Sequence, residues 1–202
     1  MLLFRYACFV AMSALALWNE MRPGAPLRDV VLERLPYVAW IDDWNHWAWL
    51  FLYLPLSLCL LVTEPRAWLR YMIAGGIVSL ARGVAIVLTN FGPPATQRAG
   101  PGIGDRDYLQ ALVEIISPID VFGHGSMKAY LTQDLFFSGH AATTFLLVLY
   151  LWRKPTLRWF AVAAHVAMVL AVLLAHLHYT VDIVGAWIVT YAVFRAVEHR
   201  VR

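Results

Sequence analysis

Charge is what this sequence has little of. Asp, Glu, Lys and Arg make up 14% of its 202 residues, and 61% are hydrophobic. Soluble domains carry about 25% charged and about 45–50% apolar residues, so the composition excludes an ordinary soluble fold and points to an integral membrane protein. Lysine is nearly missing, with Lys128 and Lys154 alone. Cysteine is limited to Cys8 and Cys59, both in apolar runs near the expected inner face. That excludes a disulfide framework and predicts free, buried thiols. There is no internal repeat and no low-complexity tract. No cluster has metal-ligand spacing, so no metal or other cofactor is expected. The formal charge of +3 sits in inner connections and calls for no nucleic acid.

Long apolar runs are what the chain does have. Six of them, at about 2–19, 46–63, 67–90, 138–153, 158–176 and 179–196, predict an all-α polytopic bundle of six transmembrane helices in one membrane-embedded catalytic domain, 1–202. Several lie near the short end of the roughly 17–25 residues a crossing helix needs, and the fourth should extend past its apolar run. Arg5 and Ala14-Leu15-Ala16 give the first run some signal-peptide character, but a retained helix is the expectation. The segments Arg5, Arg66, Arg70, Arg153, Lys154, Arg158, Arg195, Arg200 and Arg202 are rich in cations. The long connections, about 20–45 and 91–137, hold Arg22, Arg28, Arg34, Arg98, Arg106 and Lys128 among ten acidic residues. The positive-inside rule then places both termini in the cytoplasm and both long connections outside, in a bacterial case across the inner membrane.

The first outer connection opens as a proline-punctuated loop, and residues 29–41 alternate charged and apolar groups, as a short interfacial helix would. Trp40, Trp44, Trp47 and Trp49 follow and read as an interfacial belt. Their other reading is an aromatic wall beside Asp42 and Asp43 for a choline or ethanolamine ammonium. In the second connection, Leu109, Leu112, Ile115 and Ile116 recur at helical spacing and predict a membrane-surface helix, with Glu114 an ordinary solvated carboxylate.

Chemistry concentrates in two short stretches. In Ala175-His176-Leu177-His178-Tyr179-Thr180-Val181-Asp182, His178 and Asp182 stand four apart inside an apolar region. On a helix that spacing puts both on one face. A carboxylate in the membrane is expensive and so marks function by default. Asp182 can fix the tautomer of His178 and stabilise its imidazolium when it acts as nucleophile or base. In Asp134-Leu135-Phe136-Phe137-Ser138-Gly139-His140 a second histidine stands where a loop meets an apolar run. Two histidines with carboxylates at two helix starts fit phosphoryl transfer, with one ring taking the phosphorus and the other handling the leaving oxygen. Arg82 lies within the third run; it can snorkel or face an internal pocket and bind phosphate, and the pocket is the expectation. His176 should point elsewhere, and His46, His124, His165 and His199 lack a partner pattern.

These stretches resemble the sphingomyelin synthase family, a branch of the type 2 phosphatidic-acid-phosphatase superfamily, and in particular its ceramide phosphoethanolamine synthase-like members. His178-Tyr179-Thr180-Val181-Asp182 looks like the family's HYTxD signature, and Asp134 to His140 is similar to its D-[YF]-[LM]-[FY]-S-G-H element. Arg82 through Thr89-Asn90-Phe91-Gly92-Pro93-Pro94 resembles its arginine-containing span with a proline-rich end, and Pro26-Leu27-Arg28-Asp29 its P-L-P-D. The resemblance implies an exoplasmic transfer of a phosphocholine or phosphoethanolamine headgroup from a phospholipid donor to a lipid alcohol acceptor such as ceramide, releasing diacylglycerol. It implies that His178 attacks the phosphorus, Asp182 supports it, and His140 protonates the departing oxygen and later deprotonates the acceptor. Arg82 would bind the phosphodiester, and Asp134 would orient a histidine or the acceptor hydroxyl. The chain departs from the pattern at Thr132-Gln133, where the family has Cys-Gly, and at Ala141, where it has threonine.

Phospholipase C-type hydrolysis of the same donor is the alternative outcome. A lipid phosphate phosphatase is the nearest rival, but that group carries K-x6-R-P and S-R-x5-H-x3-D, and here neither lysine begins such a pattern and Val172 takes the place of the second element's arginine. A transporter or assembly protein would account for buried charge but not for the paired histidines.

Overall fold

The computed structural model describes residues 1–94, 102–123 and 125–200; Arg98, His124 and Arg202 lie outside the described residues. Among the described residues, five helices are long and apolar enough to cross a membrane: α1 (Leu2–Asn19), α2 (Ala39–Thr63), α3 (Pro65–Thr89), α8 (Pro155–Leu174) and α9 (Thr180–Arg200). A sixth apolar helix, α7 (Gly139–Leu151), has 13 residues. At about 1.5 Å per residue it spans about 20 Å, short of the roughly 30 Å hydrocarbon core. The all-α membrane class therefore holds with five candidate spans among the described residues, and the helix at the expected sixth is shorter. Many of the outward side chains are large and apolar, among them Leu3, Phe51, Val62 and Leu88. That surface suits lipid and would not suit water.

Punctuation in the sequence sets the helix ends. Glu64 alone separates α2 from α3, and Pro65 occupies the first turn of α3, where its missing N–H costs nothing. Pro155 does the same for α8. Asn90 closes α3 in the left-handed region (φ 47°), a conformation asparagine tolerates. At the far end from the candidate site, ion pairs Lys154–Glu64 and Arg70–Glu198, both 2.7 Å, tie the α7–α8 turn to the α2–α3 turn and α3 to α9. Glycines let α1 lie against α3: a Cβ on Gly83 would meet the Met12 backbone at 3.0 Å, and one on Gly76 the Phe4 ring at 2.6 Å.

The two long connections differ from expectation in two respects. Residues 29–41 form no interfacial helix. A 3-10 turn covers Leu32–Arg34, Leu35 is extended before Pro36, and α2 begins at Ala39. The cause is local: the Asp29 carboxylate captures the Val31 and Leu32 N–H groups, and Pro36 disfavours helical geometry at Leu35. The same connection forms a short parallel ribbon, β1 (Ala25–Pro26) against β2 (Phe91–Gly92). The second difference concerns α4 (Tyr108–Ile116), capped by Asp107. It runs antiparallel alongside α1 and does not lie flat on the rim: Tyr108 donates to the Ala14 carbonyl, and Tyr6 donates to the Ile116 carbonyl at 2.6 Å. The short helices α5 (Pro118–Gly123) and α6 (Gly125–Tyr130) return the chain toward α2, where Lys128 bridges Asp42 and Asp43. Both thiols are free; Cys8 is buried, while Cys59 faces outward, against the expectation that both would be buried.

Candidate active site

The turn between α8 and α9 places His178. Helix α8 ends with His176 in the left-handed region (φ 50°), with Leu177 N–H donating to Val172 O at 3.0 Å and His176 N–H to Leu173 O at 3.1 Å. This is the paired hydrogen-bond pattern that usually has glycine at the left-handed position. Three residues later α9 begins. Asp182, in its first turn, reaches back to accept the Tyr179 N–H at 2.9 Å, while the Asp182 N–H donates to Tyr179 O at 3.0 Å. That side-chain bond is one half of a capping box, and it satisfies a donor the helix start leaves open. The hydroxyl acceptor that usually completes such a cap is missing, because Tyr179 holds the position. Asp29 supplies it from the first connection: Thr180 N–H donates to its Oδ2 at 2.6 Å and Thr180 Oγ1 to its Oδ1 at 3.1 Å. Burial alone would raise the Asp29 carboxyl, but the bonds from Thr180, Leu32 and Val31 outweigh it and hold it below the ordinary value.

His178 therefore precedes α9, and its pairing with Asp182 comes from the capping turn, not from two positions on one helix face. Nδ1 lies 3.2 Å from Asp182 Oδ2. His178 is 5% exposed and Asp182 0%. With Nδ1–H donating to the carboxylate, Nε2 keeps the lone pair and the ring is a nucleophile. Asp182 Oδ1 is buried and makes no hydrogen bond among the described residues. His176 turns to the Leu35 carbonyl, 3.2 Å away, and to the Tyr37 ring.

The second histidine stands in the first turn of α7. Ser138 caps that helix, its Oγ accepting from Ala141 N–H at 3.4 Å. The Ser138 N–H donates to the backbone carbonyl of Asp182 at 3.2 Å, and this bond joins the two histidine-bearing turns. His140 is half-buried; its Nε2 lies 3.4 Å from Asn45 Nδ2, and its ring meets Trp49 edge-on at 5.6 Å. Trp49 in turn donates to Thr143 Oγ1 and stacks on Tyr53. Under His140 a polar chain crosses three helices. Trp187 donates to His165 Nε2 at 2.8 Å, His165 Nδ1 lies 2.9 Å from Thr144 Oγ1, and Thr144 donates to the His140 carbonyl at 2.8 Å.

Arg82 is 7% exposed and faces the interior. Its Nε donates to Phe137 O at 2.7 Å, Nη2 to both Asp134 O and Asp134 Oδ2, and Nη1 to Met12 Sδ. Asp134 thus partners the arginine, with which it forms a 2.9 Å ion pair, and not a histidine. Gly139 lies directly against the guanidinium; a Cβ there would stand 3.4 Å from Arg82 Nε. Glu114 contacts Tyr130, Gln110 and Arg106 on the α4–α6 side, none of them part of this group. Trp40, Trp44 and Trp47 are exposed, as a belt requires, whereas Trp49 belongs to the site. Sequence reading put Trp49 in the tryptophan belt or wall without tying it to His140, and it missed Asn45 and the capping role of Asp29. For Asp29 the P-L-R-D stretch was a signal without a stated job; for Asn45 there was none.

Residues 133–200 match the family model described as PAP2 superfamily C-terminal. The chain is also 30% identical over 145 residues to the phosphatidylinositol:ceramide inositolphosphotransferase of Trypanosoma cruzi (strain CL Brener), an alignment covering 66% of this chain and 39% of that protein. The chain thus spans well under half of that relative's length. The matched segment contains both histidine turns, and the two findings support the sphingomyelin synthase-like branch of the PAP2 superfamily that the motifs resemble.

Proposed function

We propose that this membrane protein is a lipid phosphotransferase that moves a phosphodiester headgroup from a glycerophospholipid to a lipid alcohol through a phosphohistidine. In the first displacement His178 Nε2 attacks the phosphorus and the bond to the diacylglycerol oxygen breaks. The His140 imidazolium gives its proton to that oxygen. In the second, neutral His140 takes the proton of the acceptor hydroxyl as its oxygen attacks the phosphorus, the P–N bond breaks, and His178 is regenerated. Asp182 stabilises the charge His178 carries between the steps. The observation that carries this reading is the buried His178–Asp182 pair, tied through the Asp182 carbonyl to the turn before His140.

Arg82 supplies fixed positive charge behind the site and holds the turn bearing His140 through Asp134 and Phe137. With most of its donors already engaged, it suits a singly charged diester better than a dianionic monoester, which demands several cations. That supports transferase over phosphatase chemistry. Phosphocholine and phosphoethanolamine are the proposed headgroups; the relative's name adds phosphoinositol to those worth assaying. Because Lys128 already pairs with both Asp42 and Asp43, the aromatic face at Trp49 is the better candidate for meeting a headgroup cation. The half-buried position of His140 also favours hydrolysis as a side reaction, water replacing the lipid alcohol. We place the site on the exoplasmic side with both termini cytoplasmic, on the strength of the cation bias of the opposite helix ends.

The test is turnover in proteoliposomes of short-chain fluorescent phosphatidylcholine, phosphatidylethanolamine and phosphatidylinositol, with ceramide, diacylglycerol or water as acceptor. Labelled headgroup on a lipid acceptor is expected. Phosphate release from phosphatidate with no diester turnover would replace the transferase reading with a phosphatase.

A further inference from the structure

Just beyond the end of α1, Glu20 touches neither histidine, yet its carboxylate is fully engaged. Oε1 accepts the Thr132 N–H at 2.8 Å and the Gln133 N–H at 2.5 Å, and Oε2 accepts the Thr132 hydroxyl at 2.7 Å. The neighbouring Asn19 donates to the Gln133 carbonyl at 3.4 Å. The next residue along is Asp134, held by Arg82. Phe137 O is held by the same guanidinium, and Ser138 N–H by the Asp182 carbonyl. The segment 132–138 has no regular structure of its own, and it hangs from α1, α3 and α9 at successive points. His140 follows two residues after the last.

We propose that Glu20 is a positioning residue for His140, fixing through Thr132 and Gln133 the strap whose far end aims the proton-carrying ring. The inference rests on the proposed role of His140. Consecutive backbone N–H groups that converge on one oxygen need an acceptor with two open lone pairs, which a carboxylate or amide oxygen offers and an alkyl side chain does not. Thr132 and Gln133 stand where the resembled family has Cys-Gly, and of the three donors the Thr132 hydroxyl is the one a Cys-Gly pair would lack. A carboxylate here is not a cheap link. Burial lifts the Glu20 carboxyl to about 7 against the pull of its hydrogen bonds, with Asp134 adding repulsion. A group kept in that setting is expected to do more than tether a loop.

The experiment compares the full-length protein with Glu20→Ala and Glu20→Gln in detergent micelles. Two readouts are taken: hydrogen exchange of residues 132–138 by mass spectrometry, and transfer kinetics per folded molecule. Glu20→Ala should release the strap amides and lower kcat by about 100-fold, the order a displacement of about 1 Å produces, with donor KM within about twofold. Glu20→Gln keeps an acceptor oxygen and should restore both protection and kcat to within about threefold. Wild-type exchange in Glu20→Ala would overturn the clamp. Faster exchange with unchanged kcat per folded molecule would leave Glu20 a structural tether and overturn its link to His140. If the wild-type chain transfers no headgroup to any acceptor, the enzymatic reading itself has failed, and the exchange readout still separates that failure from failure of the clamp.

Discussion

The two histidines are held in opposite ways. His178 is fixed by its own neighbours in sequence: the turn that ends α8, the capping turn that starts α9, and a carboxylate four residues on. His140 is fixed by distant ones: Asn45 from α2, Arg82 on α3 through Phe137, and Glu20 beyond α1 through Thr132. The first ring is 5% exposed with its tautomer set; the second is half-buried. A nucleophile that carries the phosphoryl group needs a fixed lone pair and shielding from water. A proton carrier that serves first a leaving oxygen and then an incoming one needs access. The way each ring is anchored matches the proposed division of labour.

The sharpest way to break the comparison is to remove each ring against an activated donor. With p-nitrophenyl phosphocholine the leaving oxygen needs no proton. His178→Ala should still lose about 10⁴-fold or more in kcat. His140→Ala should keep most of its first-step rate there, while losing about 10²–10⁴-fold with a natural phospholipid. Burst kinetics on both donors check this; equal losses for the two variants on the activated donor would erase the distinction. Next in size is Asp182→Asn, which can still accept the Tyr179 N–H but cannot stabilise the imidazolium, and should cost about 10³-fold in kcat with little change in Tm. Arg82→Lys should follow at about 10- to 100-fold, because an ammonium cannot serve Phe137 O and Asp134 together; Tm and kcat measured side by side separate positioning from folding.

This contrast also explains what was legible in the sequence. The His178 half-site was readable because its partners are local, and even so its geometry was misread: the spacing suggested one helix face, while the structure makes a turn of Leu177 to Tyr179 with Asp182 reaching back. The all-α membrane class followed from composition and run length. Residues 29–41 were read as a short interfacial helix because alternation cannot register an Asp29 side chain competing for backbone donors, or Pro36 two residues past Arg34. The His140 supports were not legible, since Asn45 and Glu20 belong to no local pattern, Trp49 was one of a run of tryptophans, and all three meet the ring or its strap only after α1 and α2 pack. Arg82 was noticed for its cost in an apolar run, but not for its partner Asp134, 52 residues away.

The smallest expected effects concern stability. Asp29→Ala removes the cap of α9 and should cost about 1–2 kcal/mol, lowering Tm by a few degrees. The Asp29 carboxyl is depressed in the folded chain, so its contribution is present above the ordinary aspartate range and is lost as pH falls through that lowered value. Glu20 runs the other way. Its folded value is raised from 4.5 to about 7, so its contribution is complete below pH 4.5 and is lost as pH rises through 7. Tm of the wild type should fall over that window by more than Tm of Glu20→Gln, the difference being about 5 °C. Parallel curves would remove the ionisation of Glu20 from the account.

The central claim is that His178 Nε2 becomes bonded to phosphorus during turnover. The direct measurement is acid quench of the protein against phospholipid labelled in its headgroup phosphate, with intact-mass and peptide mass spectrometry of the spanning segment. The account expects an acid-labile, base-stable adduct of headgroup phosphate on the peptide containing His178, present in wild type, accumulating when the acceptor is withheld, and missing in His178→Ala. Turnover at wild-type rate in His178→Ala, or an adduct mapped to another residue, would contradict it.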